Sequence, residues 1–175
     1  ISASRIAMGQ GVAVTSLQML GVLCAIANDG FLMKPYVIKR VVSAQDGAVL
    51  YQSAPVVLAR PVSGETAATM RQILARVTEE GGTGTRAALE GYKVAGKTGS
   101  AQKPVGGQYS QTDYWATFAG FVPAENPEIA IIVTVDEPQP LHTGGVVAAP
   151  VFGAIAEQAT RYLDIPIPSY VVAGM

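Results

Sequence analysis

Three stretches of strand-like sequence follow one another in the second half of the chain, and they restrict the fold more than any other feature. Residues 92–102, 114–121 and 129–136 are rich in β-branched and aromatic side chains, and the segments between them are rich in Gly, Pro, Asn and Asp. Consecutive strands joined in this way are consistent with an antiparallel meander, whose apolar side must then be covered by another layer.

Helical signals supply that layer. Thr15 is followed three residues later by Gln18, the capping-box spacing, and Leu17, Leu20, Leu23 or Cys24, and Ala27 then recur at helical period until Asn28-Asp29-Gly30. Ser63 stands before a second helix, in which Ala67, Met70, Ile73 or Leu74, and Val77 form one apolar stripe that ends at Gly81-Gly82. Gly144-Gly145 leads into a third helix over 148–163, with Val151, Ile155, Ala159 and Tyr162 or Leu163 as the face predicted to pack on the sheet. Pro166 and Pro168 stop it. Residues 36–53, centred on Asp46-Gly47, read as a peripheral hairpin. The order helix, hairpin, helix, three strands, helix predicts an α+β fold, an antiparallel sheet flanked by helices, without internal repeats.

Composition removes several classes of function. With 49% hydrophobic residues in 175, the chain has apolar material for one sizeable core. Twelve Lys and Arg nearly balance thirteen Asp and Glu, which leaves no basic block to track phosphates and argues against nucleic acid as a partner. Runs such as Ile129-Ala130-Ile131-Ile132-Val133 fall far short of the roughly 20 residues that cross a bilayer. The first residues also lack a signal pattern, so the chain as given is expected to be soluble. Cys24, the single cysteine, sits among Leu23, Ala25 and Ile26 and is read as a small buried hydrophobe. His142 is the single histidine, in a Pro-Leu-His-Thr-Gly-Gly loop, and it is expected near a cleft rather than on a metal. No cofactor is implied. Gly81-Gly82-Thr83-Gly84-Thr85 looks like a phosphate-cradling loop only superficially, because no strand precedes it and no Gly-Lys-Ser/Thr follows at the required spacing.

Lys97-Thr98-Gly99-Ser100 carries the chemistry. Glycine weakens a strand interior unless another backbone or a ligand must come close. A lysine beside two hydroxyls offers a cation and hydrogen-bond donors for a carboxylate, and a backbone N–H for a developing oxyanion. That combination suits acyl transfer on a peptide-like anion. Ser100-Ala101-Gln102-Lys103 fits a Ser-x-x-Lys nucleophile pattern by letter, but an extended strand points Ser100 and Lys103 to opposite faces. Tyr109, Tyr114 and Trp115 either line a substrate groove or pack onto the sheet.

The tetrad stands in a long ordered context. Ile6-Ala7-Met8-Gly9-Gln10-Gly11 comes first, then Gly82-Thr83-Gly84-Thr85 and Ala87-Ala88, then Tyr92-Lys93-Val94-Ala95-Gly96 leading into the tetrad. Phe118-Ala119-Gly120-Phe121-Val122-Pro123, Asp136-Glu137-Pro138 and Gly144-Gly145-Val146-Val147-Ala148-Ala149-Pro150-Val151-Phe152 follow. This series resembles the class B penicillin-binding proteins, the peptidoglycan D,D-transpeptidases of cell division and elongation, over nearly the whole chain.

The resemblance implies the C-terminal part of one transpeptidase domain, of the fold shared with serine β-lactamases, spanning 1–175. Of the family's three motifs, only Lys-Thr-Gly is in its place; no Ser-x-Asn or Tyr-x-Asn occurs in the chain, so the nucleophile and its base are expected elsewhere. By resemblance Lys97 helps bind the substrate carboxylate, Thr98 and Ser100 offer hydroxyls to it, Gly99 leaves room for the substrate strand, and the Ser100 N–H is half of an oxyanion hole. The implied partners are peptidoglycan stem peptides, β-lactams, the remainder of the domain and other cell-wall synthesis proteins. The implied location is the outer side of the bacterial cytoplasmic membrane, reached through an N-terminal anchor outside this sequence. The other reading is a binding module, a sensor or degenerate domain that recognises D-Ala-D-Ala or β-lactams without reacting. Flanking motifs of the division type argue against a β-lactamase. With part of the domain absent, some apolar surface is expected to stand uncovered.

Overall fold

The computed structural model describes residues 12–169; the segment from Ile6 to Gly11, which contributes to the family resemblance, lies outside them. Helix α1 (Ser16–Ala27) starts as its capping box requires: the Gln18 N–H donates to the Thr15 hydroxyl at 3.2 Å, and the Thr15 N–H donates to the Gln18 side chain at 2.8 Å. It ends at Asn28, with the Gly30 N–H donating back to the Ala25 carbonyl at 2.8 Å.

Two small ladders follow. Strands β1 (Leu32–Met33) and β4 (Val57–Ala59) pair antiparallel around the hairpin of β2 (Arg40–Val42) and β3 (Val49–Gln52). The hairpin was expected to begin at 36, but pairing begins at Arg40, and every residue of β2 and β3 is exposed. The β1–β4 ladder has no signal in the sequence, because strands of two and three residues are too short to show a period.

Helix α2 (Gly64–Ala75), capped by the Ser63 hydroxyl, continues into one 3-10 turn, Arg76–Thr78, and a second such turn spans Thr85–Ala87. The main sheet then runs β5 (Ala95–Val105), β6 (Gln108–Val122), β7 (Ile129–Asp136), all antiparallel and in that order. Residues 103–113, expected as a loop, mostly continue the two strands. The turn is only Gly106-Gly107, with φ of 59° and 82°, a two-residue turn that needs left-handed backbone at both positions. Pro104 suggests an end to the strand, yet it is tolerated where the register shifts between Gln102 and Pro104.

Side-chain alternation gives the sheet two buried faces. Phe118 and Val122 of β6, with Ile129, Ile131, Val133 and Val135 of β7, turn to helix α4 (Ala149–Tyr162), which follows the short helix α3 (Gly144–Val147). Ala95, Ala119, Phe121, Ala130 and Ile132 turn the other way, to Leu23 and Ile26 of α1 and Leu74 of α2. The result is helix, sheet, helix, an α+β arrangement in which β5 is an edge strand among the described residues.

The buried face of α4 is not the expected one. Ala149, Phe152, Ala156 and Thr160 are buried, whereas Val151, Ile155, Tyr162 and Leu163 are exposed. The two apolar stripes lie on adjacent sides of one helix, and the larger Phe152 ring decides between them by meeting Phe118 edge-on at 4.7 Å. In α2, similarly, Leu74 packs on the core and Ile73 is 55% exposed. Cys24 is half-buried rather than fully buried, and desolvation pushes its thiol pKa up, which keeps it unreactive.

Phe152→Ala is expected to lower the unfolding free energy by about 3–5 kcal/mol, whereas Ile155→Ser should change it by less than about 1 kcal/mol. Urea denaturation of the two variants beside the parent chain measures both; equal losses would return α4 to the sequence-based face.

Candidate functional site

Strand alternation splits the tetrad. Thr98 pairs with Phe118 and Ser100 with Ala116, so both hydroxyls lie on the α4 side of the sheet. Lys97 pairs with Ala119, whose side chain belongs to the core under α1 and α2, and Lys97 therefore leaves the strand on the opposite side. Its ammonium donates to the carbonyl of Thr98 at 2.7 Å. The cation thus stays beside the strand's own backbone, at an edge that no other strand covers among the described residues.

Helix α3 presses its first turn onto β5. A Cβ on Gly144 would stand 2.2 Å from the Thr117 carbonyl oxygen and 2.4 Å from that of Gly99, closer than any real side chain comes. This approach lets the Gly144 N–H donate to the Ser100 hydroxyl at 3.1 Å. Gly99 itself has room: a Cβ there would meet Thr117 only at 3.7 Å. Packing among the described residues therefore does not require its small size.

Between these elements opens a cavity of about 350 Å³, lined by Thr83, Thr85, Arg86, Thr98, Ser100 and the Thr143–Val146 segment. It is a wall of hydroxyls and backbone with one guanidinium. Among the residues singled out in sequence, Thr98 and Ser100 line it directly, and Lys97 stands across the edge strand. Thr83, Arg86 and Thr143 also line the cavity, although no motif in the sequence marks them as site residues. Gly-Thr-Gly-Thr at 82–85 was visible, but only as a loop with the wrong surroundings for phosphate.

The aromatics lie outside the lining. Tyr114 stacks on His142, with ring centroids 4.0 Å apart and planes at 17°, which ties the loop before Thr143 to β6. Trp115 carries the Lys103 ammonium 5.1 Å from its ring centre. Tyr109 is exposed on the outer arm of the hairpin. Lys103 itself, with a side chain 17% exposed, binds Asp136 at 2.8 Å and Glu137 at 2.6 Å. Ser100 and Lys103 are engaged on opposite sides of β5, as the strand period requires, so they do not form a Ser-x-x-Lys dyad.

A helix-backed antiparallel sheet thus carries the hydroxyls of a Lys-Thr-Gly-Ser edge strand on one wall of a polar cleft, in an α+β arrangement. The family model described as the penicillin binding protein transpeptidase domain matches residues 1–157, and the chain belongs to that family. It is 39% identical over 176 residues to the penicillin-binding protein PbpB of Mycolicibacterium smegmatis, covering 95% of this chain and 27% of that protein. It is 37% identical over 160 residues to the stage V sporulation protein D of Bacillus subtilis, covering 91% and 25%. Among solved structures, penicillin binding protein 3 of Mycobacterium tuberculosis complexed with aztreonam superposes with a TM-score of 0.81 at 40% identity, covering 93% of this chain and 38% of that one. The transpeptidase domain of Burkholderia pseudomallei penicillin-binding protein 3 gives 0.78 at 37% identity, covering 93% and 46%. The chain spans about a quarter of the length of these curated relatives.

Two outcomes follow from this geometry. Gly144→Ala should push α3 off β5 and lower stability by about 1–3 kcal/mol, as overpacking does, with loss of slow exchange at the Gly144 amide in hydrogen-exchange NMR. The Asp136 carboxylate first, and Glu137 second, raise the Lys103 pKa above its ordinary value. While Asp136 and Glu137 are ionised, the clamp stabilises the fold below the ordinary lysine pKa, and this contribution is lost as pH rises through the raised one. The Lys103 Cε resonance should titrate above the other lysines and fall back among them in the Asp136→Asn, Glu137→Gln double variant.

Proposed function

We propose that this chain supplies the Lys-Thr-Gly wall of the cleft in a penicillin-sensitive peptidoglycan D,D-transpeptidase, of which residues 1–175 are the C-terminal part of the catalytic domain. The observation that carries the reading is the placement of both tetrad hydroxyls in a polar cavity, on an edge strand whose backbone is open to an extended peptide.

In this reading a serine outside these residues attacks the carbonyl of a D-alanyl-D-alanine stem peptide, terminal D-alanine leaves, and a neighbouring stem-peptide amine takes the acyl group. Thr98 and Ser100 donate to the substrate's terminal carboxylate. Lys97, on the opposite face of the strand with its ammonium on the Thr98 carbonyl at the strand edge, adds positive charge to the polar network. The Ser100 N–H stabilises the developing oxyanion, because alternate N–H groups of an edge strand point away from the sheet. Gly99 lets the substrate backbone approach.

β-Lactams occupy the same cleft as mimics of the dipeptide, in line with the aztreonam complex of the M. tuberculosis protein. The site works outside the bacterial cytoplasmic membrane alongside other cell-wall synthesis proteins. No helix among the described residues is long and apolar enough to cross a membrane, so the anchor in this proposal belongs to another part of the protein.

A fluorescent penicillin tests the reading. The full-length protein should form an adduct that survives denaturation, the 175-residue chain alone should form none, and Lys97→Gln in the full-length protein should slow acylation by about 10²-fold, the scale of losing one preorganised electrostatic contact. An adduct on the chain alone would overturn the placement of the nucleophile. Reversible binding by the full-length protein, without an adduct, would replace the enzyme with a D-Ala-D-Ala binding module.

A further inference from the structure

The hydroxyl oxygens of Thr83 and Thr98 lie 2.9 Å apart, so one of them donates to the other. Ser100, two residues along the same face, has its direction settled. The Gly144 N–H fills one lone pair of its hydroxyl, and the hydroxyl proton is left to point elsewhere.

Thr83 lies outside the tetrad, yet its position is held by backbone on both sides. A Cβ on Gly82 would fall 2.3 Å from the Val77 carbonyl oxygen, and one on Gly84 would fall 2.5 Å from the Phe118 ring. The Gly84 N–H donates to that same Val77 carbonyl at 2.9 Å. From the far side, a Cβ on Gly145 would stand 2.0 Å from the carbonyl oxygen of Thr83. A loop packed this closely onto the core and onto α3 presents the Thr83 hydroxyl at a fixed place.

We infer that Thr83 is a positioning residue for recognition of an anionic ligand: its hydroxyl donates to Thr98, which directs the Thr98 proton, like that of Ser100, into the cleft. Each hydroxyl has a single proton. Once a carboxylate occupies the cavity, Thr98 can donate to it and keep its bond to Thr83 only if its own oxygen accepts from Thr83. Two protons then converge on one carboxylate, and Arg86 in the same cavity adds a positive field. The inference rests on the transpeptidase reading and adds to it a residue outside the Lys-Thr-Gly-Ser strand.

The test compares Thr83→Val and Thr83→Ser with the parent in the full-length protein, using a penicillin and its neutral methyl ester. Thr83→Val should lower the second-order acylation rate constant for the free acid about tenfold, the scale of one hydrogen bond to a charged group. The ester rate should stay within about twofold, and Thr83→Ser should restore the acid rate. An equal fall with acid and ester would show a merely structural role and overturn the inference, as would an unchanged acid rate. If the parent itself is acylated by neither compound, the transpeptidase reading fails, and the inference fails with it.

Discussion

The ring of Phe118 sets the spacing of everything around the cleft. It is fully buried between the sheet and α4 and meets Phe152 edge-on at 4.7 Å. Burying such a side chain stabilises a fold by about 1.5–3 kcal/mol, and an aromatic pair adds about 0.5–1.5 kcal/mol. Its other contacts matter more for the site. A Cβ on Gly84 would fall 2.5 Å from the ring and one on Gly96 would fall 2.9 Å from it, so two backbones close on the same aromatic surface. One is the loop that carries Thr83. The other is the strand that carries the tetrad.

From that shared surface the division of labour along β5 follows without further machinery. A period of two sends Thr98 and Ser100 toward α3 and α4, and sends Lys97 and Lys103 to the opposite side. Lys103 is absorbed by Asp136, Glu137 and Trp115 and braces the outer part of the sheet. Lys97 stays exposed, with its ammonium on the carbonyl of Thr98. One lysine is tied into ion pairs and the other stands exposed at the strand edge, though both occupy the same face of the same strand.

Local rules were readable where the interactions are local. Thr15 and Gln18 cap α1 as their spacing says, Ser63 caps α2, and β7 spans 129–136 as read. The tetrad's place on a strand was also legible, because it lies in a strand-like run bounded by segments rich in turn-forming residues. Legibility failed where two stripes of similar hydropathy compete. In α4 the sequence favoured Val151 and Ile155, and the fold buried Phe152 and Ala156, because a ring and a methyl group interlock with Phe118 better than two branched side chains do. The hairpin at 106–107 was hidden by Pro104, whose cost to a strand vanishes at a bulge.

The cleft shows the same boundary. The order of the motifs, the tetrad's place in a strand-like run and the family they indicate are properties of the sequence, since each is read along the chain. That Thr83 reaches Thr98, that Gly144 holds Ser100, and that Arg86 shares their cavity depend on approaches between segments 15 to 60 residues apart. Those approaches are possible only where glycine leaves the backbone bare. A glycine in sequence shows that something can come close, and only the packed structure shows which group does.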